Sequence, residues 1–456
     1  MSATGLVALM GLIQNILTGR LLGVDGIGLL ATIIMFTSVI NKFASFRMSE
    51  LVIKYVGQYS ENQDPVRSSA VFKTAALTEV GASILAFGLI VLLAPLGSRF
   101  LAKDSDLTGL FIFYGLIVLA NLIAESSTGL LQIFNQYRLI AGINILGSTI
   151  TLIGIVTVFI IFQFILPNKG LAQGPIETNL VNSISNLTSR ALPYVLLVYI
   201  VGKVTGALGL TLSALREAVH KWGSSWWRVP INTISPQKRE LLHFAVSTNI
   251  SATLSLVNKD AELLWISLFR STTEVGYYKT ALSLINLVQL PVSPLPQATY
   301  PELSREVARK NWKNVRDVLR RGTLLAGSFS LIMMIGLIVF GRQLILLFYK
   351  DPGFLPAYPA LLILIPGFFI ATTFYWSRTA LLALGKPEFP TKVNLLLAAI
   401  KLVGVLLLVP RFGYLANAAL LSGYYIFGVS AAVIKTRSVL AKNEQVSPQA
   451  ISTLEG

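Results

Sequence analysis

Asn258-Lys259-Asp260-Ala261-Glu262-Leu263-Leu264-Trp265-Ile266-Ser267-Leu268-Phe269-Arg270, followed by Glu274-Val275-Gly276-Tyr277-Tyr278 and then Ala281, sets the reading of this chain. Charges stand here inside a segment otherwise apolar enough to cross a membrane. A charge at bilayer depth costs about 2.5–3.5 kcal/mol on insertion scales, so such a cluster marks a substrate path or an ion pair. A fainter copy lies near the start, where Arg20 precedes Asp25-Gly26-Ile27-Gly28-Leu29-Leu30 and Ile33. Gly28 and Gly276 are 248 residues apart, and that offset recurs. Leu89-Ile90-Val91 matches Leu337-Ile338-Val339, Lys103-Asp104 matches Lys350-Asp351, Arg67 matches Arg316, and Leu130-Leu131 matches Leu381-Leu382. Matches in order and with small gaps argue for duplication of a six-span unit. An even number of spans makes the repeats parallel, and transporters built this way hold substrate between the two halves and rock one against the other.

Composition agrees. Of 456 residues, 54% are hydrophobic and 13% charged, with a mean hydropathy of +0.69; soluble domains carry about 25% charged residues. Most of the chain belongs in lipid as spans of roughly 20 residues. Twelve spans are expected, at 3–20, 27–46, 70–97, 108–134, 139–166, 187–212, 241–269, 276–299, 318–349, 355–385, 390–410 and 413–434. The corresponding organisation is an N-terminal six-helix lobe (1–213), an inter-lobe loop (214–240), a C-terminal six-helix lobe (241–436) and a polar tail (437–456) that frays. The fold class is an all-α polytopic membrane protein of two pseudo-symmetric lobes.

The net charge of +16 does not read as nucleic-acid binding, because Lys and Arg fall in short loops between apolar spans. They concentrate in alternate loops and the tail, which puts both termini in the cytoplasm and those loops against anionic lipid. Between 302 and 321, Arg305, Arg309, Lys313, Arg316 and Arg320 recur as on one helix face, read as a helix on the inner leaflet or as a substrate-recruiting surface. No basic lead precedes Arg20, so no cleavable signal is expected, and either the chain begins inside its first helix or its start is placed too late. There are no cysteines and only two histidines, His220 and His243, which excludes thiolate chemistry and leaves no metal-ligand spacing. The loop 167–186 is either a lid or an insertion. Its only charges, Lys169 and Glu177, do not suit a membrane glycan polymerase or glycosyltransferase, so no catalytic residue is assigned.

Polar residues recur at helical spacing: Asn121, Glu125, Thr128, Gln132 and Asn135; Ser247, Ser251, Ser255, Lys259 and Glu262; Asn41, Ser45 and Ser49; Gln289, Ser293 and Gln297. Such stripes face a partner helix or a hydrated cavity. Asn41, Asn121, Gln132, Asn286 and Gln289 are the candidate polar lining. The in-span cations Lys42, Lys203, Lys259, Arg378 and Lys401 outnumber the acids, and a cationic cavity suits a phosphate or pyrophosphate. Arg378, with Thr372, Thr373 and Ser377 nearby, is the foremost candidate. Lys259 could instead pair with Glu262 at i,i+3, and Lys203, beside Gly202 and Gly206, could snorkel. Glu125, Asp260 and Glu262 are candidate coupling or counter-charge residues. No cofactor is expected beyond a coupling proton or sodium ion, and a structural role for these carboxylates stays open. Pro291, Pro294 and Pro296 should bend or break the eighth span, and Pro366-Gly367 the tenth.

Arg20, Leu22-Gly23 and Ile27-Gly28, with Asp260, Val275-Gly276-Tyr277-Tyr278 and Ala281, and then Pro301-Glu302-Leu303-Ser304, together resemble the polysaccharide-transporter family. These are flippases of lipid-linked oligosaccharides, relatives of the O-antigen flippase in the multidrug/oligosaccharidyl-lipid/polysaccharide superfamily. Phe46-Arg47 lacks the glycine that family shows there. The resemblance implies two six-helix lobes carrying an undecaprenyl-pyrophosphate-linked glycan across the cytoplasmic membrane. The lipid bilayer and glycan polymerase or glycosyltransferase machinery would be its partners. The alternatives are a cation-coupled drug antiporter of the same superfamily, which wants an acidic aromatic cavity, and a lipid II flippase.

Overall fold

Two glycines at positive φ each divide one long helical run into two spans. Helix α1 (Ala3–Ala44) turns at Gly23, φ 68°. The last helix, α14 (Glu388–Ser452), turns at Gly413, φ 62°. A side chain at either φ would be strained. The computed structural model describes residues 3–45, 48–165, 176–231, 233, 256 and 261–452. Between those two helices come α2 (Met48–Glu61), α3 (Pro65–Gly97), α4 (Thr108–Ala120), α5 (Ala124–Ile133), α6 (Tyr137–Ile160) and α7 (Ile176–Trp222). The second half continues with α8 (Glu262–Phe269), α9 (Thr272–Gln289), α10 (Leu295–Ala308), α11 (Trp312–Tyr349), α12 (Ala357–Thr373) and α13 (Ser377–Ala383). Among the described residues there is no strand, and eight helical stretches are long and apolar enough to cross a membrane. Two of these are the runs divided at Gly23 and Gly413. The chain is thus an all-α polytopic membrane protein of about twelve spans in two pseudo-symmetric lobes.

Two compact units divide the residues. The first is Met1–Leu256 with Ser271–Gly276; the second is Val257–Arg270 with Tyr277–Gly456. The duplication is visible in the backbone of each. Non-glycine residues in the left-handed region pair across the repeat: Gln63 (φ 54°) with Lys310 (φ 56°), and Lys103 (φ 58°) with Lys350 (φ 56°). Asn135 (φ 57°) pairs with Gly385 (φ 69°). The helix caps repeat too. Asp64 accepts from the Arg67 N–H and Asn311 from the Asn314 N–H, while Asp104 and Asp351 each accept from the N–H two residues on. Side-chain acceptors of this kind satisfy orphan donors at helix starts.

Each unit carries a short helix of 14 residues, α2 and α10, packed against a broken span. In the first unit Leu51, Val52, Tyr55 and Val56 of α2 pack with Phe72, Leu130 and Leu131. In the second, Leu303 packs with Val315, Leu319, Trp376 and Ala380. The fourth and tenth spans, read as continuous helices, are broken. Residues 121–123 separate α4 from α5, and 374–376 separate α12 from α13. At the first break, Glu79 of α3 reaches across. Its Oε1 accepts from the Glu125 N–H at 2.8 Å, and its Oε2 from the Ser126 N–H at 2.9 Å and the Ser126 hydroxyl at 2.6 Å. A carboxylate from a neighbouring helix thus satisfies the donors that the break exposes.

Other expectations need correction. The prolines break the eighth span after Gln289 as expected, with Pro294 capping α10. Pro366, however, lies inside an unbroken α12, where the Gly367 N–H is taken by Ser422 Oγ at 3.0 Å. The basic stretch 302–321 is not one helix face. It turns at the left-handed Lys310, leaving Arg305 on α10 and Lys313, Arg316 and Arg320 on α11. The stripes Asn41-Ser45-Ser49 and Gln289-Ser293-Gln297 straddle helix ends, because polar residues collect where backbone groups lose their helical partners. The stripe from Ser247 to Lys259 lies outside the described residues. Part of the loop 167–186 is helical, since α7 starts at Ile176, and α14 continues to Ser452 through the stretch read as a fraying tail.

Within the first unit Gly28 meets the backbone of the segment that opens the reading. A Cβ on Gly28 would collide with the Thr272 carbonyl, and one on Gly276 with the Val24 carbonyl. Asp25 accepts a hydrogen bond from the Thr273 hydroxyl beside them. Gly28→Ala should therefore destabilise the protein by about 1–3 kcal/mol through overpacking. Gly11→Ala, with no neighbour within 4 Å, should be neutral or mildly stabilising, as alanine is in a helix. Thermal unfolding of the two variants in detergent checks this.

Candidate functional site

Glu262 opens α8 and is only 3% exposed. Its carboxylate is held by three donors. Lys401, equally buried, forms an ion pair with Oε1. On Oε2 the Tyr278 hydroxyl donates at 2.7 Å and Asn417 Nδ2 at 2.6 Å. The partners come from three elements: Tyr278 from α9, Lys401 from the arm of α14 before Gly413, and Asn417 from the arm after it. Apolar packing sets α8 there, with Trp265 and Phe269 against Val405, Val409 and Ala416. A charge this deep is tolerated only when paired and fully hydrogen-bonded.

A second constellation adjoins it. Arg378 lies at the start of α13 and lines a cavity of about 200 Å³ in the second unit, with Ser377, Phe389, Asn394, Tyr424 and Tyr425 also in its wall. Among the described residues no carboxylate lines it. The Tyr424 hydroxyl donates to Asn394 Oδ1 at 3.3 Å, and the Tyr424 ring centroid lies 5.9 Å from Lys401 Nζ. Lys435 Nζ stands 5.6 Å from the ring centroid of Phe389. Cation, amide, hydroxyl and aromatic faces converge, a wall suited to an anionic group attached to a polar or ring-bearing body.

The sequence-assigned residues separate accordingly. Arg378 lines the cavity, and Lys401 and Glu262 meet as a buried pair. Lys401 therefore neutralises a carboxylate, and Glu262 has an ion-pair partner on α14. Lys203 is exposed on α7, beside Gly202, whose backbone packs against Gly147 and Thr151 of α6. Lys42 and Asn41 are half-buried at the end of α1, and Gln132 half-buried near the end of α5. Asn121 is half-buried at the break, its Nδ2 donating to the Ile117 carbonyl at 2.9 Å. Glu125 is exposed on the first turn of α5; Asn286 is exposed and Gln289 half-buried late in α9. Lys259 and Asp260 lie outside the described residues. Sequence reading missed Asn394, Asn417, Tyr424 and Tyr425. Their signal was spacing: Asn394 and Lys401 share one helix face seven residues apart, as do Asn417 and Tyr424. Among the described residues no cluster of His, Cys, Asp and Glu is arranged to hold a metal ion.

Comparisons with known proteins place the fold. The sequence model of the MatE family matches residues 261–407. A search of curated proteins by sequence finds no match. Among solved structures, the chain is similar to an inward-facing multidrug resistance MATE family transporter of the MOP superfamily. The TM-score is 0.72 at 13% identity, over 98% of this chain and 97% of that one. It is similar to the lipid II flippase MurJ in an inward closed conformation, with a TM-score of 0.68 at 16% identity, over 97% of this chain and 88% of that one. A third is a MOP superfamily transporter from Pyrococcus furiosus described as having a binding pocket of reverse polarity. There the TM-score is 0.60 at 13% identity, over 97% of this chain and 94% of that one. The fold is that of MOP-superfamily transporters.

Breaking the buried pair from one side leaves an uncompensated charge. Lys401→Met should cost about 3–5 kcal/mol, and Glu262→Gln added to it should recover most of that loss. A double-mutant cycle on thermal unfolding measures the coupling; additive losses would show that the pair contributes nothing as a pair.

Proposed function

We propose that this chain is a flippase for an undecaprenyl-pyrophosphate-linked oligosaccharide. It would work by alternating access in the cytoplasmic membrane, with both termini cytoplasmic, and serve surface polysaccharide synthesis. The observation that carries this reading is the Arg378 cavity, which offers a guanidinium, an amide and tyrosines and, among the described residues, has no carboxylate in its wall. A guanidinium grips a phosphate bidentately, whereas a cationic drug would meet charge repulsion there. Lys42, Lys203 and Lys259 are the further candidate phosphate contacts. The isoprenoid tail would stay in lipid while the head group crosses. The fold shared with a lipid II flippase is in keeping with a lipid-linked cargo. Handover from glycosyltransferases and to a glycan polymerase would complete the route, and a proton or sodium ion would couple the cycle.

A second reading, a cation-coupled drug antiporter, draws on the MatE match and on the fold shared with a multidrug transporter. Deleting the gene in its host and profiling lipid-linked and surface glycans separates the two. Loss of surface glycan with repeat units stranded on the inner leaflet supports the flippase; unchanged glycans with raised sensitivity to cationic drugs supports the antiporter. Within the flippase reading, Arg378→Ala should abolish glycan export at unchanged membrane abundance, and normal export in that variant would remove Arg378 from the site.

A further inference from the structure

The two units each bury a carboxylate, and the two are neutralised differently. Glu262 is neutralised by an ion pair with Lys401. Glu79 is 5% exposed and makes no ion pair among the described residues; its three partners are neutral donors, the Glu125 N–H, the Ser126 N–H and the Ser126 hydroxyl. From this contrast we propose that Glu79 is the carboxylate that exchanges a proton with solution during the working cycle, and that its protonation loosens the first turn of α5 at the 121–123 break. The inference rests on the reading of the chain as a transporter, but not on the identity of its cargo.

Chemistry selects a proton over a metal ion. A cation needs oxygen ligands, and the groups aimed at Glu79 are N–H and O–H donors at the start of a helix, whose positive end repels a cation. A proton adds to Oε2 without a new partner. The resulting O–H donates to Ser126 Oγ, the serine hydroxyl turns from donor to acceptor, and Oε1 keeps the Glu125 N–H. The Ser126 N–H then faces an oxygen that has become a donor, so the break loses one of its three bonds. The charged group acting on Glu79 is the carboxylate of Glu125 on the same turn of α5. Glu125 is exposed and so offers the proton a way in. The repeat does not duplicate the device: position 327, 248 residues on from Glu79, is glycine. Among the described residues the second unit has no counterpart of this site, and its buried Glu262 keeps an internal counter-ion.

The test uses the full chain reconstituted in lipid vesicles. Infrared difference spectra are recorded as the pH is lowered. The wild-type protein should develop the C=O band of a protonated, buried carboxylic acid, and Glu79→Gln should lack it. Glu125→Gln should keep the band, because the proton sits on Glu79 and not on Glu125. Since the chain has no cysteine, Asn121→Cys reports on the break. Its labelling rate should rise several-fold with the band in the wild-type background, and be high and independent of pH in Glu79→Gln. If Glu79→Gln does not fold, Ser126→Ala carries the test, because loss of the serine oxygen must shift the band. A band that persists in Glu79→Gln, ignores Ser126→Ala or never forms in the wild-type protein overturns the proposal. So does labelling in Glu79→Gln that follows pH as in the wild-type background.

Discussion

The second unit is organised around one carboxylate that has no water to turn to. Glu262 sits at the start of α8 and requires donors on both oxygens; Lys401, Tyr278 and Asn417 supply them from three elements. Two of the donors stand on opposite sides of Gly413, so the ion pair also sets how the two arms of the last helix lie against each other. In lipid this constraint is severe, because an unpaired charge or polar group there has no solvent to satisfy it. Lys401 also lies near the Tyr424 ring, and Tyr424 shares the wall of the Arg378 cavity. Structural and candidate functional groups are thus neighbours, and the rigidity of the pair extends to the cavity wall.

Helix breaks follow the same rule. An interruption of a span exposes backbone donors and acceptors, and several helix starts have an identifiable side-chain remedy. Glu79 serves the start of α5, Asp64 and Asn311 cap the long helices that follow them with side-chain oxygens, and Asp104 and Asp351 cap short turns. The remedies mostly repeat across the two units, as do the left-handed residues beside them. Glu79 departs from the repeat, and a departure from an otherwise faithful duplication is where the two units can acquire different tasks.

Much of this was legible in the residues. The offset joining Gly28 to Gly276 found the duplication, and the Lys-Asp pairs at 103–104 and 350–351 proved to be matching turns. Apolar run lengths placed some spans, such as 108–134 and 355–385, to within a few residues of the helical stretches Ser105–Ile133 and Ala357–Ala383. The breaks at 121–123 and 374–376 were not legible, because their residues are apolar or polar in the same proportion as an intact span. The stripes misled for a related reason: a polar residue at a helix end and one facing a cavity look alike in sequence. Arg378 was picked out by its charge, yet Asn394, Tyr424 and Tyr425 around it were passed over because none is charged.

The sequence by itself determined that this chain crosses a membrane many times and that it is a doubled unit. Burial energy and backbone hydrogen bonding depend on local composition, so these features are written in the order of residues. Tertiary structure alone decided which charge meets which. Lys401 neutralises Glu262 across 139 positions. Pairing energy depends on distance in space and on the polarity of the surroundings, and neither is set by separation along the chain.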